Sequence, residues 1–146
     1  MTPLDTDCVF LVDDDEDDRF LVQQVFKQLS PECQIKSLFN GEQLINALAT
    51  APVLPSLILL DLNMPFMSGM EALRFIRREP KYQSIAIVIL TTSSNPFDQQ
   101  QALKLGANDF ITKPADIKGL NKVILQLRQN WLLGNCITSC DRSTQP

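Results

Sequence analysis

Five side chains could share one piece of chemistry: Asp13, Asp14 and Asp61, with Thr91 and Lys113. Each stands at the end of a short run suited to a strand. Val9-Phe10-Leu11-Val12 precedes Asp13, Leu57-Ile58-Leu59-Leu60 precedes Asp61, Ile85-Ala86-Ile87-Val88-Ile89-Leu90 precedes Thr91, and Asp109-Phe110-Ile111-Thr112 precedes Lys113. A continuous apolar run of this kind reads as a strand buried on both faces. The carboxyl ends of parallel strands lie along one edge of the sheet, where open sheets hold their ligands. Carboxylates gathered there repel one another, and the repulsion calls for a cation. Mg2+, which takes few carboxylates plus waters, suits the set, and the backbone carbonyl of Asn63 would complete its shell. Beside a cation, a carboxylate can attack phosphorus and form an aspartyl phosphate. Asp61 is the candidate nucleophile. Thr91 would hydrogen-bond one phosphoryl oxygen and Lys113 would neutralise another.

Taken singly, each residue is ordinary. A strand-end Thr satisfies local backbone, and a Lys is usually a solvated surface group. Asp15, Glu16, Asp17 and Asp18 read as a solvated helix start, where acids favour the positive end of the dipole. The combination is far more specific than any member.

The positioning elements follow from periodicity. A first strand is expected near residues 8–13 and a helix from Asp18 to Leu29, with Leu21, Val22, Val25, Phe26 and Leu29 on one face. Ser30-Pro31 stops that helix. Gln34–Phe39 reads as a second strand; Asn40-Gly41 turns the chain into a helix lined by Leu44, Ile45 and Leu48, ending before Pro52. The third strand is Leu57–Leu60, and after Gly69 a helix carries Leu73 and Ile76 inward and ends at Glu79-Pro80. The fourth strand is Ile85–Leu90, followed by a helix from Pro96 to Leu105 that Gly106 closes as a C-cap. Asp109–Thr112 is a short fifth strand, and Ile117, Leu120, Ile124, Leu127 and Trp131 form the stripe of a last helix. Five strands alternating with five helices give an α/β fold: a doubly wound, five-stranded parallel sheet covered on both faces.

Composition narrows the function classes. The 146 residues suit one domain, and 45% hydrophobic residues suffice for a full core. No apolar run approaches the roughly 20 residues of a membrane span. The start, Met1-Thr2-Pro3-Leu4-Asp5, has neither a basic region nor an apolar signal core, so the expected location is cytoplasmic. A net charge of −4 without a long basic run argues against direct nucleic-acid binding. The absence of histidine removes His-based triads, His-metal sites and a phosphohistidine relay carried by this chain. Cys8, Cys33, Cys136 and Cys140 lack C-x-x-C spacing and read as small buried or tail thiols.

The motifs in their order resemble the receiver domain of two-component response regulators. The pieces are Val12-Asp13-Asp14, Asp61-Leu62-Asn63-Met64-Pro65 with Gly69, Leu90-Thr91-Thr92, and Gly106-Ala107-Asn108-Asp109-Phe110 with Lys113-Pro114. The resemblance covers about residues 7–133 and includes the spacings 91 − 61 = 30 and 113 − 91 = 22. The Asp-Leu-Asn-Met-Pro block followed by Thr91-Thr92-Ser93-Ser94 is most similar to the single-domain regulators that serve bacterial phytochromes and related sensor kinases.

The resemblance implies a flavodoxin-like receiver over residues 1–134, with a short polar tail at 135–146. It implies that Asp61 accepts phosphate from the phosphohistidine of a partner sensor histidine kinase. Asp13 (through a water), Asp14, Asp61 and the Asn63 carbonyl would bind Mg2+, for which Mn2+ can substitute. Thr91 and Lys113 would contact the phosphoryl group, and Lys113-Pro114 would be a cis peptide. Phe110 occupies the family's aromatic switch position, where many relatives carry Tyr; the alternative is an ordinary core aromatic. The implied activity is self-phosphorylation and dephosphorylation without turnover of a small molecule.

About thirteen residues follow Leu133 (146 − 133 = 13), too few for a DNA-binding unit. Output is therefore expected through a protein contact or onward phosphotransfer, on the surface of the fourth helix, fifth strand and fifth helix. Trp131, Leu132 and Leu133 either cap the core or form an exposed patch for a homodimer. Other readings fit less well. A Mg2+-dependent phosphatase with an Asp nucleophile usually carries a second acid two residues on, where this chain has Asn63. A flavodoxin-like flavin binder needs a Ser-, Thr- and Gly-rich loop after the first strand, where this chain has Asp13–Asp18. A receiver used only as a binding module need not keep the full chemical set.

Overall fold

A computed structural model describes residues 8–132. Five strands, β1 (Cys8–Val12), β2 (Gln34–Leu38), β3 (Leu57–Leu60), β4 (Ala86–Thr91) and β5 (Asp109–Thr112), alternate with five helices. The helices are α1 (Glu16–Leu29), α2 (Gly41–Thr50), α3 (Gly69–Arg78), α4 (Pro96–Leu105) and α5 (Ile117–Trp131), with a 3-10 turn at Pro80–Tyr82 before β4. All strand pairs are parallel and the sheet order is β2-β1-β3-β4-β5. This is the doubly wound sheet that the alternation requires. Among the described residues, no helix is long and apolar enough to cross a membrane.

The apolar runs become strands because each divides its side chains between two cores. Leu57 and Leu59 of β3 face Val22, Val25, Phe26, Ile124 and Leu127 of α1 and α5. Ile58 and Leu60 face Leu44, Leu48, Leu73 and Ile76 of α2 and α3 on the other side. All four β3 side chains are fully buried, which is why this run shows no polar alternation.

Several boundaries differ from the sequence expectation. α1 starts at Glu16 rather than Asp18, because the Asp15 carboxylate caps it by accepting from the Asp17 and Asp18 amides at 2.9 and 3.1 Å. β2 ends at Leu38, leaving Phe39 exposed with Arg19 stacked over its ring at 4.2 Å. β4 runs one residue later than expected and takes in Thr91. Leu21 and Ile117 lie on the expected apolar faces but are exposed, lining a cleft between α1 and the start of α5 beside Pro114. Leu132 is buried and Trp131 packs half-buried against the same core, so these two cap it; Leu133, Cys136, Cys140 and the 135–146 tail lie outside the described residues.

One clamp fastens α3 to the far end of the sheet. The Arg77 guanidinium donates to the carbonyls of Gly106 (2.9 Å), Tyr82 (3.0 Å) and Ile85 (2.8 Å) and to Asn108 Oδ1 (2.9 Å). Asn108 Oδ1 also accepts from the Ile87 amide at 2.8 Å, at the start of β4. Gly106 ends α4 at φ 115°, and a Cβ there would sit 2.8 Å from Arg77 Cγ, so only glycine fits between helix end and clamp. Arg77→Ala leaves several half-buried carbonyls without their donor, and is expected to cost about 2–4 kcal/mol. Urea unfolding midpoints check this, and Arg77→Lys should recover little, because an ammonium cannot reproduce the planar fork.

Candidate functional site

The candidate residues are fixed by the sheet ladder itself. The Asp13 amide donates to Leu38 O (3.1 Å), the Asp61 amide to Val12 O (3.0 Å) and the Lys113 amide to Thr91 O (2.7 Å). Each of these residues stands one step beyond its strand yet keeps a strand-type hydrogen bond, so its side chain starts from a rigid base. The sheet order places β1 and β3 side by side, which brings Asp13 and Asp61 together.

Asp13, Asp14 and Asp61 each offer a carboxylate oxygen, all within 4.8 Å of one another. Asp13 and Asp61 are buried, whereas Asp14 is exposed. Asp61 Oδ1 accepts from the Asn63 amide at 3.2 Å, and Asp61 Oδ2 faces Lys113 Nζ at 3.4 Å. Asp13 Oδ1 accepts from the Asp15 amide at 2.9 Å and Oδ2 from Lys113 Nζ at 2.5 Å. The Arg19 guanidinium donates to the Asp13 carbonyl at 2.6 Å and pins the turn from below. Three hard oxygen donors that converge without enough positive charge among them fit a divalent cation.

Asp18 corrects the expectation of a solvated helix start. Its Oδ2 accepts from Lys113 Nζ at 2.7 Å, closer than Asp61 does. The ammonium therefore lies among three carboxylates rather than in solvent. Burial works to lower the Lys113 pKa, but the hydrogen bonds to Asp13 and Asp18 and the charges of Asp61 and Asp13 outweigh it and raise it.

Burial pushes the Asp13 carboxyl up to about 6, against the lowering effect of the Lys113 and Asp15 hydrogen bonds and with a small further rise from Asp61. The ordinary value is 3.8, so between 3.8 and about 6 the folded chain keeps a proton that the unfolded chain has released. This contribution to stability falls as pH rises through that window and stays lost above it. The expected outcome is a slope of that sign in metal-free thermal melts, absent from the Asp13→Asn variant; parallel curves for the two proteins would contradict it.

Thr91 is fully buried at the end of β4, and its hydroxyl accepts from the Ser93 amide at 3.4 Å. Phe110 pairs with Ile89, and Thr112 with Thr91, so Phe110 lies diagonally behind Thr91 on the same face of the sheet. Its ring is half-buried against the core between the sheet and α2, α3 and α4. The loop after β4 is tied locally: Ser93 Oγ donates to Asp98 Oδ2 at 2.7 Å, and Thr112 Oγ1 donates to Ser93 O at 3.1 Å.

The loop after Asp61 folds back tightly. The Gly69 amide donates to Leu62 O at 3.0 Å, and Ser68 and Glu71 form a reciprocal capping box at the start of α3. Phe66, in the same loop, is 97% exposed at φ 69°, a left-handed backbone that bulky residues seldom adopt. Sequence reasoning missed Asp18, Arg19 and Arg77. The only signal for Asp18 was its place in the first turn of the helix that follows β1.

The model of the response regulator receiver domain matches residues 9–125. The chain belongs to this family. The receiver is 34% identical over 130 residues to the response regulator Rcp1 of Synechocystis sp., covering 85% of this chain and 88% of that one. It is also 34% identical over 123 residues to a probable cyclic di-GMP phosphodiesterase of Vibrio cholerae, but covers only 27% of that longer protein. Among solved structures, the phosphorylated cyanobacterial phytochrome response regulator RcpA superimposes with a TM-score of 0.82 at 29% identity, over 88% of this chain and 96% of that one. The Mn(2+)-bound form of Rcp1 gives 0.78 at 32% identity, over 87% and 95%. The receiver fold agrees with the doubly wound sheet, and the acidic pocket of Asp13, Asp14 and Asp61 fits a phosphoacceptor and a divalent cation.

Proposed function

We propose that this receiver takes a phosphoryl group onto Asp61 from the phosphohistidine of a sensor histidine kinase. The observation that carries the proposal is the convergence of Asp61 with Asp13, Asp14 and Lys113 at one sheet edge. A carboxylate oxygen of Asp61 attacks phosphorus, the P–N bond of the donor imidazole breaks, and an acyl phosphate forms. Asp14, Asp61, Asp13 through a water, and the Asn63 carbonyl would hold Mg2+, with Mn2+ as substitute. A bound cation supplies charge neutralisation to the phosphoryl oxygens.

This chain's own groups do the rest. The Asn63 amide orients the Asp61 carboxylate. Lys113 offers a charge-assisted hydrogen bond to a phosphoryl oxygen, and Thr91 offers its hydroxyl to another. Thr91 can donate its hydroxyl proton while its oxygen still accepts from the Ser93 amide, so a shift of Thr91 toward the phosphoryl group would draw the following loop inward with it. Phe110, diagonal to Thr91 on the same face, would follow into the space released. The result is a population shift of the α4–β5–α5 surface, read by a downstream protein or a phosphotransfer partner. α4 suits that role, since Ala102 is its one buried residue. Likeness to the phytochrome response regulator RcpA supports a phytochrome-type kinase as the donor.

The test is incubation with Mg2+ and acetyl phosphate followed by intact mass. A gain of one phosphoryl group that chelation prevents supports the reading. No gain moves the chain to the class of protein-binding modules.

A further inference from the structure

We infer that Asp18 is a positioning residue that holds the Lys113 ammonium away from Asp61 until a phosphoryl group arrives. This rests on the reading of Asp61 as phosphoacceptor and deepens it. Lys113 Nζ has three protons and three carboxylate neighbours: Asp13 at 2.5 Å, Asp18 at 2.7 Å and Asp61 at 3.4 Å. Asp13 and Asp61 belong to the cluster whose oxygens converge for a cation, and Asp18 does not. The oxygens of Asp13 and Asp61, if engaged by a cation, would hold Lys113 less strongly. Among the described residues, the Asp18 carboxylate would then be the short ionic partner left to Lys113.

Asp18 is well placed to exchange partners. It lies in the first turn of α1, anchored by its own amide to the Asp15 cap, and its side chain is 34% exposed. Water can therefore take over the carboxylate when Lys113 leaves. Lys113, 12% exposed, has no such option and must pass from one anion to another. Asp18 and the phosphoryl oxygens thus compete for one ammonium. The carboxylate sets how strongly Lys113 commits to the phosphorylated state, and it does so without touching the reacting atoms.

The experiment compares wild type, Asp18→Asn and Asp18→Glu in the full chain. Initial rates and steady-state fractions of phosphorylation are measured with acetyl phosphate and Mg2+. Asp18→Asn keeps the side-chain size and the helix amide, so the fold is retained. It is expected to raise the steady-state phosphorylated fraction by roughly twofold to fivefold, the range a partly exposed ion pair commands. Asp18→Glu is expected to return toward wild type. The decisive readout is the pair with Lys113→Ala: once the ammonium is gone, Asp18→Asn should change nothing further. A merely structural role for Asp18 would give additive effects instead. An unchanged or lowered fraction in Asp18→Asn, or additivity with Lys113→Ala, overturns the inference alone. Wild-type protein that gains no phosphoryl group removes the phosphoacceptor reading and this inference with it.

Discussion

Asp61→Asn is expected to abolish phosphoryl gain from acetyl phosphate, a loss of roughly three orders of magnitude or more. The amide oxygen carries no full negative charge and forms no stable acyl phosphate. The fold should survive the change. Asn has the same shape, its oxygen can still accept from the Asn63 amide, and Lys113 keeps its short bonds to Asp13 and Asp18. One carboxylate fewer also relieves the repulsion in the buried cluster. Intact mass and a thermal melt on the same preparation separate the two effects. A variant that still gains the mass would place the acceptor on another residue.

The second large effect belongs to Gly69, which touches no ligand. A Cβ at this position would lie 2.2 Å from the Asp61 carbonyl oxygen and 2.8 Å from Leu62 Cα. Both are backbone atoms of the strand end that carries Asp61, so neither can rotate aside. Gly69→Ala must push the loop and the strand end apart, breaking the hydrogen bond that its amide donates to Leu62 O. The expected cost is about 2–4 kcal/mol of stability. A shift of the Asp61 carboxylate by a fraction of an ångström to one ångström should slow phosphorylation of the folded fraction by roughly a hundredfold. Gly41→Ala is the matched control. Its Cβ would also meet atoms at 2.8 to 3.0 Å, but these belong to the flexible Met67 side chain. Urea midpoints and initial rates with acetyl phosphate check both variants. Wild-type rates in folded Gly69→Ala would show that the close approach supports the fold and not the site.

The strand ends were legible because their signal is local. An apolar run that meets Asp13, Asp61 or Thr91 marks both the strand and its edge. The start of α1 was less legible for a physical reason. Asp13, Asp14, Asp15, Asp17 and Asp18 can all act as N-caps, and the choice of Asp15 depends on where β1 releases the chain. Helix faces were readable, but their cover was not: Leu21 and Ile117 are periodic with buried neighbours yet line an open cleft between α1 and α5. The contacts that escaped the sequence are those whose partners are remote. Asp18 meets Lys113 across 95 positions, and Arg77 meets Gly106 and Asn108 across 29 and 31. No pattern within either segment announces the other.

The ion pair between Asp13 and Lys113 spans 100 positions of the chain. The full pocket therefore has no local precursor, although three of its carboxylates, Asp13, Asp14 and Asp18, lie within one short segment. It comes into being only when β1, β3, β4 and β5 have all found their parallel partners, and such pairings close long loops before any contact rewards them. Pairing of β1 with β3 brings the carboxylates together, but their cationic partner Lys113 joins them only with β5. The complete set of carboxylates and ammonium is thus a property of the whole sheet and of no single segment.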